Sequence, residues 1–272
     1  MATIVLSPHT LSKDRSDIKA EVTSSNTVGY QKLSTVAGLN LLGVQFQTVG
    51  GTGSNLSENM ALSGLVGFDW SEFAGGDQMY VWDKTAQGYS TIYTYAGDSV
   101  PADITTALGY DLSGKWMDAS MLPVTEPIAL GEGLWVDSTA SEEATIVVSG
   151  EVNTNAVTKT IVSGLNLIAN PYPKAFDVNS ATYTGLVGFD WSEFAGGDQM
   201  YVWNKTAQGY STIYTYAGDS VPADITTALG YDLSGKWMDA SMLPVSEPIP
   251  VGEAVWIDTS TESSSASVSF TY

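Results

Sequence analysis

A long internal repeat is the feature that most constrains how this chain can fold. Residues 64–124 recur as residues 185–245, and across these 61 positions the only change is Asp83 to Asn204. Since such self-similarity indicates repeated structural units, the chain should contain two copies of one fold. Weaker similarity extends the repeat through residues 38–42 with 164–168, and through residues 131–137 with 252–258.

The two copies divide the chain near residue 152. Residues 144–152 end the first copy, and residues 265–272 end the second. We therefore expect an N-terminal extension over residues 1–17, a first module over residues 18–152 and a second module over residues 153–272. Each module falls within the usual size of a domain.

Inside each copy, hydrophobic residues alternate with a period of two, which is typical of strands. Tyr89, Thr91, Tyr93 and Tyr95 share one predicted face, and residues 79–83 precede them at hairpin spacing. Residues 104–108 form the one predicted helical turn, with Asp103 as its cap. The pattern predicts an all-β fold of two tandem antiparallel β-sandwich or jelly-roll-like modules. The predicted core of the first module, with counterparts in the second, comprises Leu41, Val81, Trp82, Ile92, Trp135 and Val136.

Charge and composition exclude several functions. Thirty acidic residues against ten basic ones give a formal charge of −20, which argues against binding nucleic acid. The sequence contains no cysteine and therefore neither disulfides nor thiolate metal sites. No apolar run approaches the length that spans a bilayer, so we expect no membrane insertion. Polarity that comes mostly from Ser, Thr, Asn and Gly is commoner in extracellular β-proteins.

Candidate catalytic residues are few. His9 is the sole histidine and lies outside both copies, so a histidine-based triad could occur only once. Paired carboxylates leave two alternatives open, namely a glycosidase site and acidic turn residues on a solvated surface, and the second is favoured. A calcium site is a further hypothesis, because clustered carboxylates suit a hard cation. The proposed ligands are Asp69, Glu72 and Asp77, repeated as Asp190, Glu193 and Asp198. We expect no other cofactor.

All eight tryptophans lie in the copies, four in each. They could stack on sugar rings, or they could fill the core of a small β-module. Trp82 and Trp135 lie in apolar strand runs and are predicted to be core. Polar residues flank the better candidates for exposed carbohydrate contacts, which are Trp70, Trp116, Trp191 and Trp237.

Three segments of the second copy carry a family resemblance. Residues 164–173 read GLNLIANPYP, residues 201–204 read YVWN, and residues 252–257 read GEAVWI. Their order resembles the repeated β-modules of secreted and cell-surface proteins of Gram-negative environmental bacteria. The first copy departs from the pattern, with Gly43-Val44-Gln45-Phe46 in place of residues 169–172. The resemblance implies export and a surface location, and it carries over no catalytic residue.

Near-identity of the copies favours a structural role over catalysis. Two quasi-equivalent surfaces suit head-to-tail assembly, so we expect a non-enzymatic extracellular or cell-surface protein, the subunit of a filament or surface layer. The apolar segment Thr3, Ile4, Val5 and Leu6 could link subunits by adding a strand to a neighbour's sheet, or it could pair within its own module. The expected partner is a second copy of the chain. A tandem module that binds cell-surface glycan is the alternative, followed by a glycoside hydrolase.

Overall fold

The structure, a computed structural model, describes residues 27–48, 51, 53–55, 60–125, 127–260 and 266–272. Antiparallel strands dominate these residues and confirm the predicted all-β fold class. The segment Thr3 to Leu6 and His9 lie outside the described residues, so strand donation stays a prediction. No helix in the described ranges has both the length and the apolar character needed to cross a membrane.

The first copy contains ten strands and one helix within its described part. They are β1 (Val28–Thr35), β2 (Gly38–Gly43), β3 (Gly53–Asn55), β4 (Met60–Ser63), β5 (Gln78–Asp83), β6 (Gly88–Tyr95), α1 (Ala102–Leu108), β7 (Trp116–Met117), β8 (Pro127–Ala129), β9 (Gly133–Ser138) and β10 (Ala144–Glu151).

The second copy repeats this order. Its elements are β11 (Val157–Thr160), β12 (Gly164–Ala169), β13 (Thr182–Thr184), β14 (Gln199–Asn204), β15 (Gly209–Tyr216), α2 (Ala223–Leu229), β16 (Trp237–Met238), β17 (Ala254–Thr259) and β18 (Ser267–Phe270). A bridge between Phe176 and Ile249 takes the place of the β3–β8 pair.

Each copy folds two main sheets against each other. In the first, a five-stranded sheet in the order β2-β9-β5-β6-β7 faces a three-stranded sheet in the order β1-β10-β4. The second copy has the orders β12-β17-β14-β15-β16 and β11-β18-β13. Every one of these ladders lies within one copy. Among the described residues, β-pairing between the copies is limited to two isolated bridges, Leu42 with Glu253 and Glu132 with Ile168.

An apolar core lies between the two sheets of each copy. Val136, Tyr95 and Ile146 are buried there in the first copy, and Val81 packs partly against them. Each large apolar side chain buried in this way contributes about 1.5–3 kcal/mol. Leu41 and Trp135 are also buried, as predicted, but on the opposite face of the five-stranded sheet. That sheet is therefore covered on both faces.

Ile92 lies outside the core, contrary to the prediction, because it alternates with Tyr93 and Tyr95, whose side of β6 faces the core. A β-bulge then brings Tyr89 to the same outer face as Ile92. Ile92 pairs with Tyr80, and Tyr89 pairs with Trp82, because the register shifts between these two pairs. An extra residue in one strand reverses the alternation of faces beyond it. Tyr89 therefore joins Ile92 on the face away from the core, where their exposed fractions are 47% and 48%. The second copy repeats the bulge and the exposure at Tyr210 and Ile213.

The short helix α1 begins earlier than predicted. It starts at Ala102 after Pro101, and no side chain caps its first turn. Asp103 lies inside that turn, where its negative charge still suits the positive end of the helix. Gly109 ends the helix in the left-handed conformation, with φ of 81°.

Candidate functional site

The tryptophans predicted to contact carbohydrate are buried, so the structure contradicts that role. Trp70 is 8% exposed, and its Nε1 donates a hydrogen bond of 2.9 Å to the backbone oxygen of Ala96. Trp116 is fully buried in the core beside Tyr95. Their counterparts Trp191 and Trp237 are 7% and 0% exposed. Trp70 lies in a turn and Trp116 in the short strand β7, and in neither place does the polarity of adjacent residues determine the direction of the ring.

The proposed calcium ligands do not converge into a cation site. Asp77 is buried, and its carboxylate accepts hydrogen bonds from Val66 N, Ser138 Oγ and both donors of Thr139. Asp198 repeats this arrangement in the second copy. Asp77 links the loop before β5 to the end of β9, and Asp198 links the loop before β14 to the end of β17. The oxygens of both carboxylates already accept hydrogen bonds from the protein.

The remaining proposed ligands lie in solvated turns. Asp69 accepts hydrogen bonds from Ser71 and from the backbone of Glu72, and the Ser71 hydroxyl lowers the pKa of Asp69 below its usual range. Asp190 does the same with Ser192 and Glu193. Within the described ranges, no group of three or more acidic or histidine side chains could hold a metal ion.

The largest side-chain cluster outside the two cores lies between the copies. We call this surface the paired face. The outer faces of the two five-stranded sheets meet there, and both copies contribute aromatic rings. Its buried members are Leu41, Trp135, Leu167, Ala169, Ala254 and Trp256, and its partly buried members are Leu39, Tyr80, Trp82, Leu165, Tyr201 and Trp203.

Four tryptophans form the centre of the paired face. Trp82 meets Trp256 edge to face, with ring centroids 4.9 Å apart and an interplanar angle of 88°. Trp135 meets Trp203 with the same distance and angle. Aromatic pairs in this geometry contribute about 0.5–1.5 kcal/mol beyond their buried area. Each pair joins one copy to the other.

Hydrogen bonds cross the paired face in matched sets. The indole Nε1 of Trp82 donates to the oxygen of Leu165 at 3.0 Å, and Trp203 donates to Leu39 at 2.9 Å. The amide of Gln87 accepts from the backbone N–H of Leu165 at 2.7 Å and donates to its oxygen at 3.1 Å. Gln208 makes the same two bonds to Leu39, at 2.7 and 3.0 Å.

Charged groups at the rim break this symmetry. Lys159 of the second copy pairs with Glu132 of the first at 3.4 Å, and burial lowers the pKa of Lys159. At the symmetry-related end of the face, the first copy has Leu33 where the second copy has Lys159. Leu33 pairs with Ile146 of β10, and Lys159 pairs with the equivalent Val268 of β18. Glu253 there pairs at 3.9 Å with Lys205 of its own copy, and burial raises the pKa of Glu253.

The paired face is therefore self-complementary in its apolar and backbone contacts. Each contact occurs twice with the roles of the copies exchanged, which is the property of an isologous interface. Two backbone hydrogen bonds between the copies are also equivalent. Gly43 N donates to Gly252 O at 2.8 Å, and Ala169 N donates to Gly131 O at 3.0 Å. The arrangement can hold two copies together, and the described part of it contains no histidine to act as a general base.

One sequence signal pointed to this face. In β5, Met79 and Val81 alternate with Tyr80 and Trp82, so both faces of the strand are apolar. Strands of that kind are covered on both sides.

Comparison with protein-family models, with curated proteins and with solved structures gave no significant match.

Proposed function

We propose that this chain is a non-enzymatic extracellular structural protein, the subunit of a surface filament or surface layer. The observation that carries the proposal is the self-complementary paired face. Its contacts require a second copy of the module, but they do not require that copy to belong to the same chain. Exchange of copies between neighbours preserves every contact across the face, which makes swapped assembly a low-cost route to oligomers.

The rim charges distinguish between the possible pairings of the copies. Lys159 of a second copy meets Glu132 of a first copy, whereas two first copies would place Leu33 beside Glu132. A half-exposed ion pair is worth little in absolute terms, but specificity depends on the difference between partners. Pairing of two first copies is therefore the least favoured, because a second copy places Lys159 beside Glu132 or beside the equivalent Glu253. Repeated exchange between first and second copies yields an open chain.

The acidic residues support a non-enzymatic role. Asp111 and Asp118 each accept the backbone N–H of the residue two positions later, at 2.8 Å, as Asp69 does at 2.9 Å. These hydrogen bonds are typical of turns. The carboxylates of these three residues are thus explained by local backbone geometry, which favours the solvated-turn alternative for them.

Electron microscopy and light scattering of the concentrated full chain test assembly directly. We expect concentration-dependent polymers that Gly133→Val abolishes, because a Cβ at Gly133 would lie 2.6 Å from Leu167 Cγ and 2.7 Å from Ala254 Cβ. Gly88→Ala is the matched control, since its Cβ would meet nothing closer than 3.9 Å.

Two results would overturn the proposal. The first is a chain that stays monomeric at every concentration, and the second is a Gly133→Val variant that assembles like the native chain. Deletion of residues 1–12 distinguishes assembly by exchange of copies from assembly by donation of the N-terminal strand. Exchange of copies survives this deletion, whereas linkage through Thr3 to Leu6 does not.

A further inference from the structure

An open cleft of about 490 Å³ lies where the two copies meet. Its size is typical of sites that bind small molecules. The first copy supplies Tyr80, Tyr89, Trp135 and Asp137, and the second supplies Trp203 and Tyr210. The cleft therefore exists only while the paired face is formed.

Two tyrosine rings offer the cleft an accessible surface. Tyr89 is 47% exposed and Tyr210 is 49% exposed, although both belong to ordered strands. Edge-to-face contacts fix their orientation: Tyr80 lies 5.6 Å from Tyr89, and Trp203 lies 5.2 Å from Tyr210. Rigid aromatic side chains supply contact area at low cost in conformational entropy. The two rings are therefore exposed and already held in the orientation in which a ligand would stack on them.

Polar groups are placed around these rings. Asp137 is half-buried, and its carboxylate makes no hydrogen bond or ion pair with the described residues. The Tyr80 hydroxyl donates to Gln78 Oε1 at 2.6 Å. The Tyr89 hydroxyl lies beside the indole N–H of Trp135, which partly offsets the rise that burial causes in the pKa of Tyr89. A ligand with an apolar face and hydroxyl donors on its edge would meet both ring surfaces and the free acceptor.

We propose that this cleft binds a neutral saccharide. A pyranose ring has apolar C–H faces that can stack on Tyr89 and Tyr210, and hydroxyl groups that can donate to Asp137. The net charge of −20 and the Asp137 carboxylate disfavour anionic sugars. A quaternary ammonium ion would also suit aromatic rings. However, the cleft is open and shared by two copies, whereas a small cation is best enclosed on several sides.

Isothermal titration calorimetry on the full chain tests the site, with neutral hexose oligosaccharides of β-1,4, β-1,3 and α-1,4 linkage as probes. We expect at least one of them to bind. Tyr89→Ala and Tyr210→Ala should each weaken binding about tenfold, the loss typical of removing a central aromatic contact. Asp137→Asn should weaken it by a smaller factor, and Tyr89→Phe should retain the platform and most of the affinity.

Phe73→Ala is the control, because Phe73 is an aromatic residue that is 55% exposed outside the cleft. Its binding should equal that of the native chain. Circular dichroism melting of each variant separates loss of the site from loss of the fold. The proposal is overturned if no neutral oligosaccharide binds, if only choline or oligogalacturonate binds, or if Tyr89→Ala and Phe73→Ala bind alike. Monomeric protein suffices for these measurements, so failure here is distinct from failure to assemble.

Discussion

Tyr183 of β13 shows how one buried hydroxyl affects stability. Its ring packs edge to face on Trp237, with centroids 5.5 Å apart, and among the described residues its hydroxyl has no partner in hydrogen-bond geometry. The equivalent position in the first copy is Leu62, which pairs with Ile146 as Tyr183 pairs with Val268. An apolar side chain therefore fits this site, and the hydroxyl adds a desolvation cost that the nearby indole N–H of Trp237 offsets only in part, since the two groups are not in hydrogen-bond geometry.

We predict that Tyr183→Phe stabilises the chain by about 1 kcal/mol at neutral pH, because the unpaired buried hydroxyl is removed. Burial raises the pKa of Tyr183 well above its ordinary value. A raised folded-state pKa gives stability that is complete below the unfolded pKa of about 10 and is lost as the pH rises above it. The variant should therefore lose less stability than the native chain between pH 9 and pH 11.

Urea unfolding at a series of pH values measures both effects. Tyr272→Phe is the control, because Tyr272 is 62% exposed. Equal pH dependence of the native chain and Tyr183→Phe would contradict the assignment of part of the alkaline sensitivity to Tyr183.

At the scale of elements, the hairpin of β5 and β6 was predictable, but its bulge was not. Alternation and the short connection indicate both strands. Nothing in residues 88–95 shows where an extra residue interrupts the alternation, because tyrosine and isoleucine suit either face of a strand. The failure to anticipate Tyr89 as an exposed ring follows from this. Ile92 was misassigned because the alternation does not show which face of β6 meets the core, and that face is the one of Tyr93 and Tyr95.

The turns of the two equivalent hairpins, β5–β6 and β14–β15, form hydrogen bonds to the opposite copy through Gln87 and Gln208. We predict that Gln87→Ala and Gln208→Ala each lower the free energy of unfolding by about 1 kcal/mol, because each removes two hydrogen bonds to a backbone edge. The two losses should be equal, since the contacts are equivalent. Thr85→Ala is the control, because the exposed Thr85 side chain lies in the same turn and makes no hydrogen bond to a described residue of the other copy. Urea unfolding of the three variants gives the comparison, and unequal losses would contradict the equivalence of the two turns.

At the scale of the whole molecule, the repeat predicted two copies but not their arrangement. Apolar residues on both faces of β5 and β9 require cover on both sides of the sheet, yet this pattern does not specify what provides it. Trp82 and Trp135 were predicted to be inside, and their partners Trp256 and Trp203 belong to the other copy. Trp70 and Trp116 were misassigned because the polarity of flanking residues does not determine side-chain direction, which depends on tertiary packing.

The contacts across the paired face predict that the two copies stay together without a covalent link. β10 ends at Glu151 and β11 begins at Val157, so residues 152–156 form a short connection. A specific protease site inserted there, followed by cleavage, should leave two fragments that co-elute at the mass of the intact chain. The four tryptophans and the matched hydrogen bonds are untouched by the cut, and only the advantage of high effective concentration is lost.

Cleavage in the Gly133→Val background provides the comparison. A valine there places side-chain atoms where Leu167 and Ala254 now lie against Gly133, so the cleaved fragments should separate on size-exclusion chromatography. Separation of the native fragments at micromolar concentration would show that the connection, and not the paired face, holds the copies together. Exchange between chains would then lack its physical basis, because a face too weak to hold two fragments could not link whole subunits.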